Sequence, residues 1–160
     1  MVRNDGVDIL KDSVILKKTR RAARELTLNV LYQCESGIPF DEALTMALEH
    51  ANLSELSTSK FNTAEDARNY ASNLAKGIRE HRDELDDTIQ AYSKDWPIDR
   101  QPTVDRNLLR IALFEIMYGT DVPDIVAVDE AIELAKVYST DESGRFINGV
   151  LAGFLKSLKK

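Results

Sequence analysis

An all-α fold is what this sequence predicts, on three observations: apolar residues recur at helical spacing along most of the chain, no hairpin dipeptide sits between alternating strands, and no regular repeat is present. With 160 residues, the chain has the length of one ordinary domain or of two small helical subdomains sharing a core. Residues 1–16 carry the weakest signal: Asn4-Asp5-Gly6 reads as a turn, and the aliphatics after it fit either a loose arm or a short helix. A first helix is predicted from Thr19 to Ser36, with Ala23, Leu26, Val30, Leu31 and Cys34 on one face and Gly37-Ile38-Pro39 ending it. A second covers Phe40 to His50, and the Ser-rich stretch from Asn52 to Thr63 reads as loop.

From Ala64 to Trp96 the residues Ala67, Ala71, Leu74, Ile78, Leu85, Ile89 and Tyr92 form a long apolar stripe, one helix or two with a break between Gly77 and His81. Pro97 and Pro102 mark a junction. Beyond them Val104 to Tyr118 is apolar on nearly every side after Ile111, which places it centrally, with Gly119 as its stop. Ile125 to Tyr138 turns Val128, Ile132 and Ala135 inward and Asp129, Glu130 and Glu133 outward. Ser139 and Glu142 have the spacing of a capping box, and a last helix follows with Ile147, Val150, Leu151, Phe154, Leu155 and Leu158 on one side. Gly149 and Gly153 are spaced for close helix packing.

Composition excludes several classes. The apolar fraction is 43% and no apolar run approaches the roughly 20 residues of a membrane span, so a water-soluble, cytoplasmic protein is expected. Aliphatics at the N-terminus are interrupted by Asp and Lys, unlike a secretory signal, and the single cysteine, Cys34, suits a reducing compartment. Cys34, His50 and His81 lack zinc spacing, and no metal site or cofactor is expected. The crowded acids Asp83, Glu84, Asp86 and Asp87 read as a solvated helix face. No phosphate loop, GxSxG elbow or glycine-rich dinucleotide turn supports an enzyme.

Charge is distributed unevenly. Net charge is −6, yet residues 17–24 (KKTRRAAR) hold five of the 21 basic residues and no acid. Lys17, Arg20, Arg21 and Arg24 are spaced i, i+3, i+4, i+7, which gathers four cations on one helical face with Lys18 beside them and only Glu25 near to neutralise them. At a helix start such cations oppose the macrodipole, a conflict that favours a phosphate-binding role; a merely solvated basic end is the alternative. Tyr138, Arg145 and Phe146 flank the start of the last helix, where aromatic rings beside a cation suit unstacked RNA bases, although an aromatic at helical spacing also fits a core.

Three stretches, TRRAARELTLNVLYQCE, VDRNLLRIALFEIMYGTDVP and VAVDEAIELAKVYSTDESGRFINGVLAGFL, together resemble the NusB family of transcription antitermination factors. The resemblance covers residues 19–36 and 96–155, and its most specific part is EAIELAK followed by a short loop, Phe146 and INGVL. It implies an RNA-binding domain over 19–158, made of two helical-bundle subdomains at about 19–96 and 103–158; the arm over residues 1–18 departs from the family, which commonly begins close to its arginine run. It further implies binding of boxA-like single-stranded RNA of ribosomal RNA leaders together with NusE, a small-subunit ribosomal protein, within an RNA polymerase antitermination complex, and it leaves a homodimer open. Carried onto this sequence, the RNA-binding positions are Arg20, Arg21, Arg24, Tyr138, Glu142, Ser143, Arg145 and Phe146, to which the basic run adds Lys17 and Lys18, and those meeting NusE are Trp96, Asp105 and Arg106. The same domain resembles the RNA-binding portion of ribosomal RNA cytosine methyltransferases, a reading that needs the chain to be a fragment of something longer. A helical protein-interaction module without RNA affinity is the third reading.

Overall fold

The computed structural model describes residues 5–56, 63–119 and 121–159, those of 5–12 and 55 by their backbone. Among them are seven α-helices and no strand: α1 (Asp5–Glu35), α2 (Phe40–Glu49), α3 (Thr63–Glu80), α4 (Arg82–Ala91), α5 (Thr103–Tyr118), α6 (Asp124–Tyr138) and α7 (Asp141–Leu158). Short 3-10 turns occupy Ser54–Leu56 and Ile98–Arg100. The all-α expectation is met. The first helix differs most from its sequence prediction, because it starts at Asp5 and takes in residues read as an unassigned arm, including Asp5 and Gly6 of the expected turn. Asn4, the remaining residue of that turn, lies outside the described residues, as do residues 57–62 of the Ser-rich loop.

Punctuation follows from backbone chemistry. At the end of α1, Gly37 has φ +103, and the amides of Gly37 and Ile38 return to the carbonyls of Cys34 and Gln33 at 3.1 Å each. Such a closure needs the left-handed conformation that glycine adopts without a Cβ penalty. All four prolines immediately precede a helical turn: Pro39 before α2, Pro97 before Ile98–Arg100, Pro102 before α5 and Pro123 before α6. Their fixed φ suits a helix entry, and a missing N–H is no loss where no intrahelical acceptor exists. The long central stripe breaks at His81, and α4 ends at Ala91, short of Trp96.

Helix α5 forms the centre, touching α1, α3, α4, α6 and α7. Every residue from Leu108 to Leu113 is buried, Arg110 included. The main apolar cluster draws Leu28 and Leu31 from α1, Leu74 and Ile78 from α3, Leu85 and Ile89 from α4, and Leu134, Ile147 and Leu151 from α6 and α7. One core therefore joins both halves of the chain. Phe114 of α5 packs so closely on α3 that a Cβ at Gly77 would lie 2.1 Å from its ring. Of the glycines in α7, Gly153 meets Tyr92 while Gly149 faces open space, so only one of the pair serves close packing. Leu158, expected inward, is exposed.

Two local expectations change. The last helix is capped by Thr140, whose hydroxyl accepts from the Ser143 amide at 3.2 Å, in place of a Ser139–Glu142 box. Ser139 instead donates its hydroxyl to Asp105 Oδ1 at 2.7 Å. Glu130, expected outward, is 3% exposed.

Candidate nucleic-acid interface

The basic run lies well inside α1, several turns beyond its start at Asp5. The macrodipole acts within the first and last turns, so it imposes no penalty at Lys17 and the argument from local conflict does not apply. The four cations at i, i+3, i+4 and i+7 share one face of α1, and burial rises along the helix axis from Lys17 to Arg24. Lys17 and Lys18 are exposed, Arg20 and Arg21 are partly covered, and Arg24 is 3% exposed. Among the described residues, no carboxylate forms an ion pair with Lys17 or Lys18. The three arginines do have acid partners, all brought from the distant half of the chain, which corrects the expectation that Glu25 alone lies near them.

Arg24 donates through Nε and Nη2 to the two oxygens of Glu115 at 2.8 and 2.9 Å, in a fork that is buried on both sides. Tyr70 of α3 donates its hydroxyl to the same carboxylate, and burial with this contact pushes the phenol up to about 12. Arg21 grips Glu130 with Nε and Nη2 at 2.9 and 2.8 Å while its side chain stays 38% exposed. Burial raises the Glu130 carboxyl, but hydrogen bonds from Arg21 and the fields of Arg21, Arg24 and Lys17 outweigh it and hold it below its ordinary value. Arg20 reaches Asp121, in the loop between α5 and α6, at 2.6 Å, and its guanidinium lies 4.0 Å above the Tyr70 ring. Arg24 is thus a core ion pair, unavailable to a ligand at the surface, while Lys17, Lys18, Arg20 and Arg21 form the solvent-facing basic strip.

The second group of RNA-binding candidates lies at the far end of α6, a helix of 15 residues and therefore about 22 Å long. Glu130 and Tyr138, two turns apart, face α1, and the Tyr138 hydroxyl donates to Glu25 Oε2 at 2.9 Å. Burial first, then Glu25, pushes that phenol up to about 12. One seam between α1 and α6 thus links the basic strip to Tyr138 and onward to the start of α7. There Glu142 and Arg145 are exposed, whereas Ser143 is 5% exposed, its hydroxyl within the Ser139, Thr140 and Ser143 cap network. Phe146 is partly buried on the main core and meets Trp96 edge to face, ring centroids 4.7 Å apart.

The three positions expected to meet NusE behave unlike one another. Trp96 is 37% exposed and shares its ring contact with Phe146. Asp105 is 1% exposed and holds Ser139, so it joins α5 to the α6–α7 corner and offers no charge to a partner. Arg106 donates to Glu35 at 2.8 Å and to the carbonyls of Gln101 and Ile98 at 3.0 and 3.3 Å, stapling the 98–103 linker to α1. Asp105→Ala is accordingly expected to lower unfolding stability by about 1–2 kcal/mol, the scale of a lost hydrogen bond to a carboxylate whose other oxygen is buried without a partner. Chemical denaturation checks this, and an unchanged midpoint would return Asp105 to a surface role. The exposed surface nearby is a groove of about 620 Å³ whose rim includes Tyr32, Met46, Val104 and Tyr138. Tyr32 and Met46 are 50% and 42% exposed, and sequence reading passed over both because each falls at helical spacing beside core residues.

Glu115, Asp121 and Tyr70 also escaped the sequence reading, and Glu130 was read there only as an outward-facing acid. Glu115 carried a usable signal, since a lone acid inside IALFEIMYG can be buried only beside a cation. Asp121, in a short loop, carried none.

Comparison with known proteins adds to this geometry. The NusB family model matches residues 21–156. A transcription antitermination protein NusB from Symbiobacterium thermophilum is 39% identical over 142 residues, covering 88% of this chain and 92% of its own. The solved structure of T. maritima NusB superposes with a TM-score of 0.69 at 36% identity, over 86% of this chain and 90% of that one. A crystal structure of antitermination factors NusB and NusE in complex with dsRNA gives a TM-score of 0.71 at 28% identity, over 88% of this chain and 98% of that one.

Proposed function

The chain belongs to the NusB family, and from that premise we propose that it is a non-enzymatic transcription antitermination factor that binds boxA-like RNA of ribosomal RNA leaders together with NusE. The observation that carries the RNA reading is the strip Lys17, Lys18, Arg20 and Arg21, exposed or partly exposed on a chain of net charge −6. Exposed lysines without an ion-pair partner add little to folding, whereas a polyanion gains directly from them. RNA runs from this strip along the α1–α6 seam, past Tyr138, to Glu142, Arg145 and Phe146, with the phosphates on the cations and a base against the Phe146–Trp96 pair. Two features support the protein partner: a related NusB is solved with NusE, and the Tyr32–Met46 groove offers exposed aromatic and apolar area of the kind that anchors interfaces. In this reading the complex works with RNA polymerase in the cytoplasm.

The test is a titration of labelled boxA-like single strand, its scrambled version and its duplex against the full chain, with and without NusE. Preference for the boxA-like strand, strengthened by NusE, is the expected result; equal affinity for scrambled RNA removes the antitermination reading. The duplex arm is included because the solved relative binds dsRNA. Phe146→Ala should weaken RNA binding by about 1–3 kcal/mol, the value of one stacked base. Phe154→Ala, which truncates a core residue, should instead cost about 3–5 kcal/mol of stability and leave the folded fraction's affinity intact. The reverse pattern would make Phe146 a packing residue only.

A further inference from the structure

Of the three arginines in the basic run, Arg20 differs in what holds it. Arg24 and Arg21 pair with Glu115 and Glu130, whose side chains are 2% and 5% exposed and sit within helices α5 and α6. Arg20 pairs with Asp121, whose side chain is 60% exposed and belongs to the loop between those helices. A buried acid in a helix cannot leave its cation without stranding a charge, whereas an exposed loop carboxylate can turn into water at small cost.

We propose that Asp121 occupies the place of an RNA phosphate at Arg20, and that binding exchanges this carboxylate for a phosphodiester; the inference rests on the RNA-binding reading above. Asp121 accepts from Arg20 Nη2 through one oxygen, Oδ2, and a phosphodiester oxygen can accept from the same donor. Arg20 hydrogen bonding holds the Asp121 carboxyl below its ordinary range, so it is ionised and competes as an anion under neutral conditions. Tyr70 makes the exchange possible without loss of aim. Its ring supports the Arg20 guanidinium at 4.0 Å, and its hydroxyl is fixed to buried Glu115, so the cation stays oriented when Asp121 departs. The exchange also sets a threshold. An isolated anion gains little by replacing an acid already in place, while a strand contacting Lys17, Lys18 and Arg21 at the same time brings its phosphate to Arg20 at high local concentration.

The experiment is a double-mutant cycle read by fluorescence anisotropy with a labelled boxA-like single strand, on the full chain. Asp121→Asn should tighten binding about two- to fivefold, the range of one exposed ion pair. Asp121→Ser, too short to reach Arg20, should tighten it at least as much, which guards against an asparagine that still bonds to Arg20. In an Arg20→Ala background both substitutions should leave affinity unchanged. Asp129→Asn, which removes an exposed acid of α6, should have no comparable effect. Tightening that persists without Arg20, tightening by Asp129→Asn of the same size, or none from either Asp121 variant overturns the exchange while RNA binding stands. Failure of the unaltered protein to bind RNA removes both readings.

Discussion

Arg24→Ala is expected to destabilise the fold by about 3–5 kcal/mol, because it leaves the buried Glu115 carboxyl without its cation and with the Tyr70 hydroxyl as its remaining hydrogen-bond partner. Urea unfolding followed by circular dichroism measures the loss as a fall in midpoint. A paired replacement distinguishes the cost of a stranded charge from the value of the pair. Arg24→Met with Glu115→Leu removes both ions and fills the space with apolar atoms, and should recover most of the lost stability. If the double variant is no more stable than Arg24→Ala, the pair's geometry itself carries the stability. Acid should act on the neighbouring pair in a related way. The Glu130 carboxyl is held below its ordinary value in the folded protein, so its contribution is complete above the unfolded value of about 4.3 and is lost as pH falls through the lowered folded value.

The largest functional effect is expected from replacing Lys17, Lys18, Arg20 and Arg21 together by alanine. Each single-strand phosphate contact contributes about 0.7 to the slope of log affinity against log salt, so losing four should flatten it by about 2–3 and weaken binding by about 10²–10³ near 0.1 M salt. Alanine is the strongest helix former, and α1 should persist. Arg24 stays in this variant and remains 3.8 Å from Glu130, the buried acid that Arg21→Ala deprives of its main partner, so unfolding is measured on the same preparation to separate lost stability from lost phosphate contacts. A preserved slope in a folded protein would show that the strip does not touch the RNA backbone.

Helical periodicity carried most of the fold because it reports which side of a segment is apolar, and the central position of α5 was legible in the consecutive apolar residues near Ile111. The break at His81 fell within the expected range, and proline positions marked the helix entries. Charged residues were harder to place. Periodicity assigns an acid such as Glu130 to the outside by default, and only an arginine contributed from 109 positions away reverses that choice. The internal contacts of Asp105 and Arg106 were hidden for the same reason: their partners, Ser139 and Glu35, sit at separations of 34 and 71. Arg20 and Arg21 were legible as members of a basic run, but the loop acid standing at Arg20 was visible only in three dimensions.

The long reach of the Arg24–Glu115 pair has a consequence during synthesis. The two residues are 91 positions apart, and a ribosome adding about 5–20 residues per second separates their appearance by about 5–20 s. Through that interval the nascent first helix can meet α2 and α3, yet its arginine has no acid to bury against. The N-terminal half therefore waits, partly assembled and with its central face open to chaperones, until α5 emerges and closes it.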